Sequence, residues 1–236
     1  MNLILLAQTD FIKSTARVRL DDRRYLHIRD IHRAKEGDEL SVGLIGGRIG
    51  TGKIASLTGE AIEMDISFTL QPPAPLPVTL ILALPRPNIL RRTLQSASAM
   101  GVKKIFFIHS NRVEKSFWLS PALHPEKIQE QLILGLEQCR DTVLPDIQLR
   151  EKFKPFLEDE LPGLIRGTRA LVAHPQASEE CPRDIRQPVT LMIGPEGGFI
   201  PYEIKKLTEL GFTPVNLGNR ILRVDTAVPA LLARLF

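Results

Sequence analysis

The pattern of apolar and polar positions changes once along the chain, at the segment 71–77. Before it, short stretches alternate polar and apolar residues with a period of two, which predicts strands that bury one face. These stretches are 17–20, 39–44 and 60–66. Gly46-Gly47 predicts a hairpin turn, and residues 25–34 are typical of a helix. We therefore predict a small β-barrel before the segment.

After the segment, continuous apolar runs replace the alternation. Runs of this kind predict strands that are buried on both faces. They are residues 78–84, 104–109, 170–174, 189–194 and 214–217. Helix-like stretches separate them, and one of these carries Ile204, Leu207 and Leu210 on one face and ends at Gly211, a natural C-cap. Strands that alternate with helices indicate an open parallel α/β sheet.

The segment itself, Gln71-Pro72-Pro73-Ala74-Pro75-Leu76-Pro77, places four prolines in seven residues. Prolines interrupt helices and strand ladders and stiffen a connector. The sequence therefore predicts two domains, residues 1–71 and residues 72–236.

Composition changes this picture little. The net charge is +4, 43% of residues are hydrophobic and 25% are charged, as in an ordinary globular protein. The apolar runs are too short to cross a bilayer, and we expect no signal peptide. Cys139 and Cys181 are isolated, which favours reduced thiols in the cytoplasm over a disulfide framework or a metal site.

A partial phosphate-binding motif in the first part of the chain does not predict a nucleoside triphosphatase. Residues 47–53 match G-x-x-x-x-G-K, but Ile54 stands where Ser or Thr binds magnesium. The motif also lies between two strands, so a hairpin with a basic tip is the better interpretation.

The first candidate for chemistry is the glycine-rich turn at residues 194–198, which follows a strand and precedes a helix that begins near Pro201. Ligands of open α/β sheets bind at such strand ends. The spacing is not that of a dinucleotide fingerprint, which disfavours a nicotinamide-dependent oxidoreductase. Taken alone, the turn fits a ligand loop and a plain strand–helix connection equally well.

A second loop, residues 217–223, follows the next strand and carries Arg220 and Arg223. We predict Thr226 as the N-cap of the final helix, with Pro229 in its first turn. Two ligand-type loops at two strand ends predict a pocket.

The two loops together resemble the RsmE family, whose members methylate N3 of a uridine in 16S rRNA. The resemblance rests on Ile-Gly-Pro-Glu-Gly-Gly at 193–198 and Leu-Gly-Asn-Arg-Ile-Leu-Arg-Val-Asp-Thr-Ala at 217–227. It extends to residues 27–33, 99–105 and 137–140. It implies a PUA-like β-barrel followed by a trefoil-knotted SPOUT methyltransferase domain, a homodimer, and a bent S-adenosylmethionine among the loops.

The resemblance also implies the site residues. Those expected to bind S-adenosylmethionine are Ala173, His174, Pro175, Ile193, Gly194, Pro195, Glu196, Gly197, Gly198, Leu217, Gly218, Asn219, Ile221, Leu222, Arg223 and Thr226. Arg220 or Arg223 would stabilise a negatively charged uracil oxygen. Glu196 is the candidate base, and hydrogen bonding to loop amides is its alternative role.

The implied partner is 16S rRNA or the small ribosomal subunit, with no membrane and no metal. Phosphate contacts are expected from the basic N-terminal region, at Arg17, Arg19, Arg23, Arg24, Arg29 and Arg33. The final helix, residues 228–236, suits either a dimer interface or closure of the core. Residues 85–99 depart from the family pattern, which leaves the methylated nucleotide open. The alternatives are methylation of another RNA, and RNA binding without catalysis by a protein that keeps the cofactor pocket.

Overall fold

The structure is a computed structural model that describes residues 2–13 and 15–236. The chain forms two compact units. The first comprises residues 1–74 and 133–144, and the second comprises 75–132 and 145–236. The change between units at Ala74 falls within the proline-rich segment.

The first unit is built on a curled five-stranded sheet in the order β1-β3-β4-β5-β2. Its strands are β1 (Ile4–Leu6), β2 (Arg17–Leu20), β3 (Glu39–Leu44), β4 (Ile49–Leu57) and β5 (Ile62–Leu70). β3 and β4 pair antiparallel, which confirms the hairpin at Gly46-Gly47, and Gly46 has φ +71°. The predicted helix begins slightly earlier, as α1 (Arg23–His27), and continues as a π-helical turn over Ile28–His32.

Residues 133–144 belong to the first unit because their apolar side chains complete its core. Leu136 is fully buried with Leu3, Leu5 and Ile49. The backbone carbonyl of Glu137 also accepts the N–H groups of residues 2 and 3, both at 3.0 Å. Sequence periodicity along a helix does not reveal such a distant partner. The prediction of two consecutive domains therefore left residues 133–144 out of the first one.

The second unit contains a seven-stranded sheet in the order β10-β12-β9-β11-β6-β7-β8, in which every pair of neighbours is parallel. Its strands are β6 (Val78–Ala83), β7 (Lys104–Ile108), β8 (Asp146–Arg150), β9 (Arg169–Ala173), β10 (Glu179–Glu180), β11 (Val189–Ile193) and β12 (Thr213–Asn216). The predicted parallel α/β sheet is confirmed, and all five predicted apolar runs form strands. Buried Leu80, Phe107, Leu171 and Leu191 place the core on these strands.

Helices connect the strands of this sheet. They are α2 (Pro87–Ala99), α3 (Pro125–Cys139), α4 (Phe153–Pro155), α5 (Leu161–Ile165), α6 (Pro201–Glu209) and α7 (Val224–Leu235). A π-helical turn over Phe156–Glu160 joins α4 to α5, and short 3-10 turns occur at Lys115–Leu119 and Pro121–Leu123. A further 3-10 turn, Gln8–Asp10, lies in the first unit. α6 begins at Pro201 and stops before Gly211 (φ +100°), as predicted.

The predicted start of the final helix is wrong. α7 begins at Val224 with Arg223 as its N-cap, three residues before Thr226 would allow, and Pro229 lies inside the helix. The first turn closes when the amides of Thr226 and Ala227 donate to the Arg223 carbonyl, at 3.0 and 2.7 Å. Pro229 is tolerated because only one internal amide is missing, although such a position usually costs helix stability.

The apolar face of α7 closes the core of the second unit. Val228, Leu231, Leu232 and Leu235 are at most 1% exposed, and α7 packs on α2. These four side chains therefore close the core, and the dimer-interface role of the helix stays a prediction. Across residues 2–13 and 15–236, no helix combines the length and the apolar content needed to span a membrane.

Candidate functional site

A cavity of about 700 Å³ lies in the second unit where β9, β11 and β12 end. These three strands are neighbours in the sheet, in the order β12-β9-β11. The loops that leave their carboxyl ends form the walls, and the start of α6 and the inner face of α7 complete them. Parallel strands deliver their loops to one edge of a sheet, which is why segments distant in sequence meet here.

The first wall is the glycine-rich turn 194–198, and its glycines are needed for shape. Gly198 has φ +70°, in the left-handed region that side chains with a β-carbon avoid. A β-carbon on Gly194 would lie 3.1 Å from the Phe199 ring and the Phe199 amide nitrogen. The turn therefore folds tightly back on itself and exposes backbone to the cavity.

Two long-range hydrogen bonds hold this turn. The Arg86 amide, at the start of α2, donates to Glu196 Oε1 at 3.1 Å. The Arg112 guanidinium, from the loop after β7, donates to the Gly197 carbonyl. The side chain of Glu196 thus takes the alternative role of the two considered for it, as an acceptor for a backbone amide, although this amide lies outside its own loop.

The second wall, residues 217–222, is braced mainly at its base. Asn216 Nδ2 donates to the carbonyls of Ala177 and Glu179, at 2.7 and 3.0 Å. Its Oδ1 accepts the amide of Gly218 at 2.8 Å, and Gly218 has φ +98°. Beyond this point Arg220 and Ile221 are exposed, Ile221 to 80%.

The arginine at the end of this wall faces a carboxylate. Arg223 Nε lies 3.8 Å from Asp225 Oδ1, and Arg92 of α2 lies 3.6 Å from Asp225 Oδ2. The Asp225 side chain is only 11% exposed, whereas that of Arg223 is 67% exposed. Asp225 therefore forms a long ion pair with the guanidinium of Arg223, while most of the Arg223 side chain stays in solvent.

The end of β9 supplies the third wall, as expected, with Ala173, His174 and Pro175. The His174 amide donates to the Val215 carbonyl at 2.9 Å, and His174 Nδ1 accepts the Gln176 amide at 3.3 Å. Partial burial lowers the pKa of His174 below its ordinary value. The imidazole is therefore neutral near pH 7.

The structure brings most of the predicted site residues together at this cavity. Those on its walls are Ala173, His174, Pro175, Ile193, Gly194, Pro195, Glu196, Gly197, Gly198, Leu217, Gly218, Arg220, Ile221 and Leu222. Asn219, Arg223 and Thr226 are not on the walls. Thr226 lies within the first turns of α7.

Sequence reasoning missed several wall residues. They are Arg112, Gln176, Phe199, Pro201, Ile204, Lys205, Val215, Asn216, Val224, Ala227 and Leu231. One signal was available for Arg112, because it follows the carboxyl end of β7 just as the glycine turn follows β11. The apolar members carry only a helical or strand pattern, which does not distinguish a cavity wall from a core.

Most of the N-terminal arginines are engaged within the first unit. Arg17 pairs with Asp65 at 2.8 and 3.0 Å, and this hydrogen bond lowers the pKa of Asp65. Arg29 pairs with Asp30 and lowers its pKa in the same way. Arg23 holds buried Glu137 through two hydrogen bonds at 3.0 and 2.9 Å.

Arg24 is the most enclosed of the six, with 12% of its side chain exposed. It donates to Asp10, Asp22 and the Leu5 carbonyl. By contrast, the Arg19 side chain is 52% exposed and its ion pair with Glu63 is long, at 3.9 Å. Arg33 is also exposed. In the described part of the chain, no group of three or more His, Cys, Asp or Glu residues is placed to hold a metal ion.

Comparisons with known proteins agree with this architecture. Residues 72–236 match the RNA methyltransferase domain family. The ribosomal RNA small subunit methyltransferase E of Treponema pallidum (strain Nichols) is 29% identical over 238 residues, which cover 99% of this chain and 90% of that protein. Its counterpart in Mesomycoplasma hyopneumoniae (strain 232) is 32% identical over 160 residues, which cover 66% of this chain and 68% of that protein.

Solved structures give the same result. The ribosomal RNA small subunit methyltransferase E of Neisseria gonorrhoeae, crystallised with S-adenosyl methionine, matches with a TM-score of 0.74 and 26% identity, over 99% of this chain and 95% of that one. The predicted fold, a SPOUT-type parallel α/β domain with a small barrel-like unit, is confirmed. The family match over residues 72–236 and these relatives show that the chain belongs to the RsmE family of RNA methyltransferases.

Proposed function

We propose that this protein uses S-adenosylmethionine to methylate N3 of a uridine in the 16S rRNA of the small ribosomal subunit. The observation that carries the proposal is the cavity at the ends of β9, β11 and β12, walled by the two loops on which the family resemblance rests. Its volume of about 700 Å³ lies within the range of small-molecule sites, about 300–1,000 Å³.

The residues present fit this cofactor. Two backbone groups of the turn are already bonded, since the Gly198 amide donates to the Pro195 carbonyl and Arg112 donates to the Gly197 carbonyl. The amides of Glu196 and Gly197 make no hydrogen bond with the described residues and are open to the polar groups of a nucleoside. Apolar side chains of Ile204, Val215 and Leu231 line the same cavity and suit the flat faces of an adenine. When bound, S-adenosylmethionine supplies a methyl group activated by a positively charged sulfur.

The chain's own residues must then prepare the acceptor. N3 of uracil carries a proton at neutral pH, and its loss leaves a negative charge shared by N3 and the two neighbouring carbonyl oxygens. Arg220 is the best-placed arginine, because it lines the cavity and its guanidinium makes no hydrogen bond or ion pair with the described residues, whereas Arg112 is engaged with Gly197. An arginine in this position stabilises the developing anion electrostatically. Arg223, set back toward Asp225, is the second candidate.

Glu196 is the carboxylate on the cavity wall, but its Oε1 already accepts the Arg86 amide. The bond to Arg86 gives Glu196 a bracing role, while its Oε2 keeps free lone pairs that can still accept a proton. We therefore assign Glu196 first to bracing the glycine turn and only second to proton transfer. Transfer of the proton to solvent, assisted by Arg220, requires no carboxylate.

We propose that RNA contact in the first unit comes chiefly from Arg19 and Arg33, because their guanidinium groups are the more exposed. Arg17 and Arg29 form ion pairs with Asp65 and Asp30, which neutralise their charge locally, so they contribute less to RNA binding. Arg23 and Arg24 hold the unit together through buried or half-buried ion pairs. We also propose that the enzyme works as a cytoplasmic homodimer, which sedimentation of the purified protein at several concentrations tests.

The experiment is transfer of a radiolabelled methyl group to isolated small subunits, to their naked rRNA and to tRNA. Label in 16S rRNA that maps to N3 of one uridine supports the proposal. Label in tRNA alone redirects it to another RNA. Cofactor binding measured by calorimetry, with no transfer to any of the three, replaces it with RNA binding without catalysis.

A further inference from the structure

A buried carboxylate outside the recognised motifs links two loops of the cavity. Glu203 lies in the first turn of α6 and is 3% exposed. Its Oε1 accepts the Asn111 amide at 2.8 Å, and its Oε2 accepts the Ile200 amide at 2.9 Å. A buried charge is costly unless it is hydrogen-bonded, and these two backbone amides meet that need.

One of the two bonds is local. Ile200 is the N-cap of α6, and its apolar side chain has no atom that can accept an amide. Glu203 caps the start of the helix from within, where a negative charge is also favoured by the helix dipole. An exposed carboxylate would do this equally well, so capping does not explain why Glu203 is buried.

The second bond reaches a different loop. Asn111 lies in the loop after β7, and the next residue is Arg112, whose guanidinium donates to the Gly197 carbonyl. The stem of Arg112 also packs on the glycine turn, because a β-carbon on Gly197 would lie 3.0 Å from Arg112 Cδ. The two loops therefore hold each other in both directions.

We propose that Glu203 is a positioning residue for the cofactor, which acts by fixing Asn111 so that Arg112 holds the glycine turn in its binding shape. The inference deepens the proposed function and rests on it. Without the Asn111 bond, the loop after β7 loses its anchor, and Arg112 must hold Gly197 from a mobile base. The turn then samples shapes that do not bind, and affinity falls by the fraction of time so spent.

The test is a double-mutant cycle of E203Q and R112M, read as the dissociation constant for S-adenosylmethionine by calorimetry. The glutamine keeps the size of Glu203 but has one oxygen, so it satisfies only one of the two amides. We expect each single variant to bind the cofactor about tenfold more weakly, the effect of one lost hydrogen bond to a charged or buried group. The double variant should be no more than about twofold weaker than either single variant, because both act through one contact.

Hydrogen exchange of the cofactor-free protein gives a second readout that does not depend on activity. In both single variants, the amides of residues 194–200 should exchange faster than in the parent. E137Q is the matched control, since Glu137 is 2% exposed and holds its partner Arg23 in the first unit. It should lose stability while the dissociation constant stays at the parental value.

The outcomes separate this inference from the proposed function. A parent protein that does not bind S-adenosylmethionine overturns the proposed function. If the parent binds but E203Q and R112M match it, or if their losses are additive, Glu203 does not act through Arg112. Should E203Q fail to fold, R112M decides alone, because that side chain is exposed: parental affinity and parental exchange at 194–200 overturn the inference.

Discussion

The two glycine loops of the cavity differ in how they are held. The turn at 194–198 is fixed from outside by hydrogen bonds to the loops after β6 and β7, through Glu196 and Arg112. The loop at 217–222 is braced mainly at its base, by Asn216, and its outer residues are exposed. One wall is therefore part of the scaffold, and the other presents its side chains to solvent.

This difference indicates a division of labour. A fixed wall is preorganised, so it binds a rigid ligand without an ordering cost. An exposed wall that carries the unpaired Arg220 is suited to the RNA substrate, which binds from solvent and is less rigidly placed than the cofactor. We expect changes in the first loop to affect cofactor binding and stability, and changes in the second to affect methyl transfer.

The largest effect is expected from R220A on the exposed loop. Loss of a charge that stabilises a developing anion typically lowers the rate about a hundredfold or more, while the cofactor dissociation constant should stay near the parental value. Single-turnover methylation of rRNA measures the rate. R91A, on the exposed side of α2, is the control and should match the parent. A parental rate in R220A would pass the role to Arg223, whose R223A variant is measured beside it.

The second expected effect concerns the glycines at positive φ in the two loops, Gly198 and Gly218. Valine at a positive φ costs about 1–3 kcal/mol. G198V should show the upper part of this range as a lower free energy of unfolding, because its loop is held at both sides. G218V should show the lower part, since its loop can relax. Urea denaturation followed by fluorescence of Trp118, which is the single tryptophan, reports on the second unit.

G167V is the matched control for both glycine variants, because Gly167 has φ +73° and lies away from the cavity walls. It should lose stability and keep the parental affinity for the cofactor. Equal losses of unfolding free energy in G198V and G218V would mean that the turn at 194–198 is held no more firmly than the loop at 217–222.

The sequence predicted the loops better than their supports. Gly198 and Gly218 were recognisable because a glycine requirement is local: it depends on the φ of one residue. The partners of Glu203 and Glu196 were not, because Asn111 and Arg86 lie 92 and 110 residues away in the chain. No periodicity records a bond between one side chain and one distant amide.

The same limit explains the errors in the fold. β8 (Asp146–Arg150) is an edge strand with a single neighbour and a partly exposed, polar pattern, so it gave no strong strand signal. The helix start was misplaced because Pro229 was assigned to the first turn by a local rule, whereas α7, which packs on α2, begins five residues earlier at Val224. Tertiary contacts overrode a local preference in both cases.

A smaller effect is expected from E196Q on the fixed loop. The carboxamide oxygen can still accept the Arg86 amide, so the single-turnover rate and the cofactor dissociation constant should both stay within about threefold of the parent. E196A, which has no acceptor, should weaken cofactor binding more than it slows transfer. If E196Q instead slows transfer about a hundredfold, the carboxylate is the base and the fixed loop takes part in the chemistry.

The smallest expected effect is a pH dependence at His174, which lies between the two loops. Burial lowers the pKa of His174, so the unfolded chain binds the proton more tightly than the folded protein does. The stability that neutral His174 contributes is therefore fully present above about pH 6.5. It is lost as the pH falls from there through the lower pKa of His174 in the folded protein. A protonated His174 would also place a positive charge beside a cationic cofactor. As the pH falls below about 6.5 and His174 takes up its proton in the folded protein, the cofactor dissociation constant should rise, and H174N should remove that part of the rise. An unchanged slope in H174N, measured by calorimetry at each pH, would assign the dependence to another group on the cavity wall.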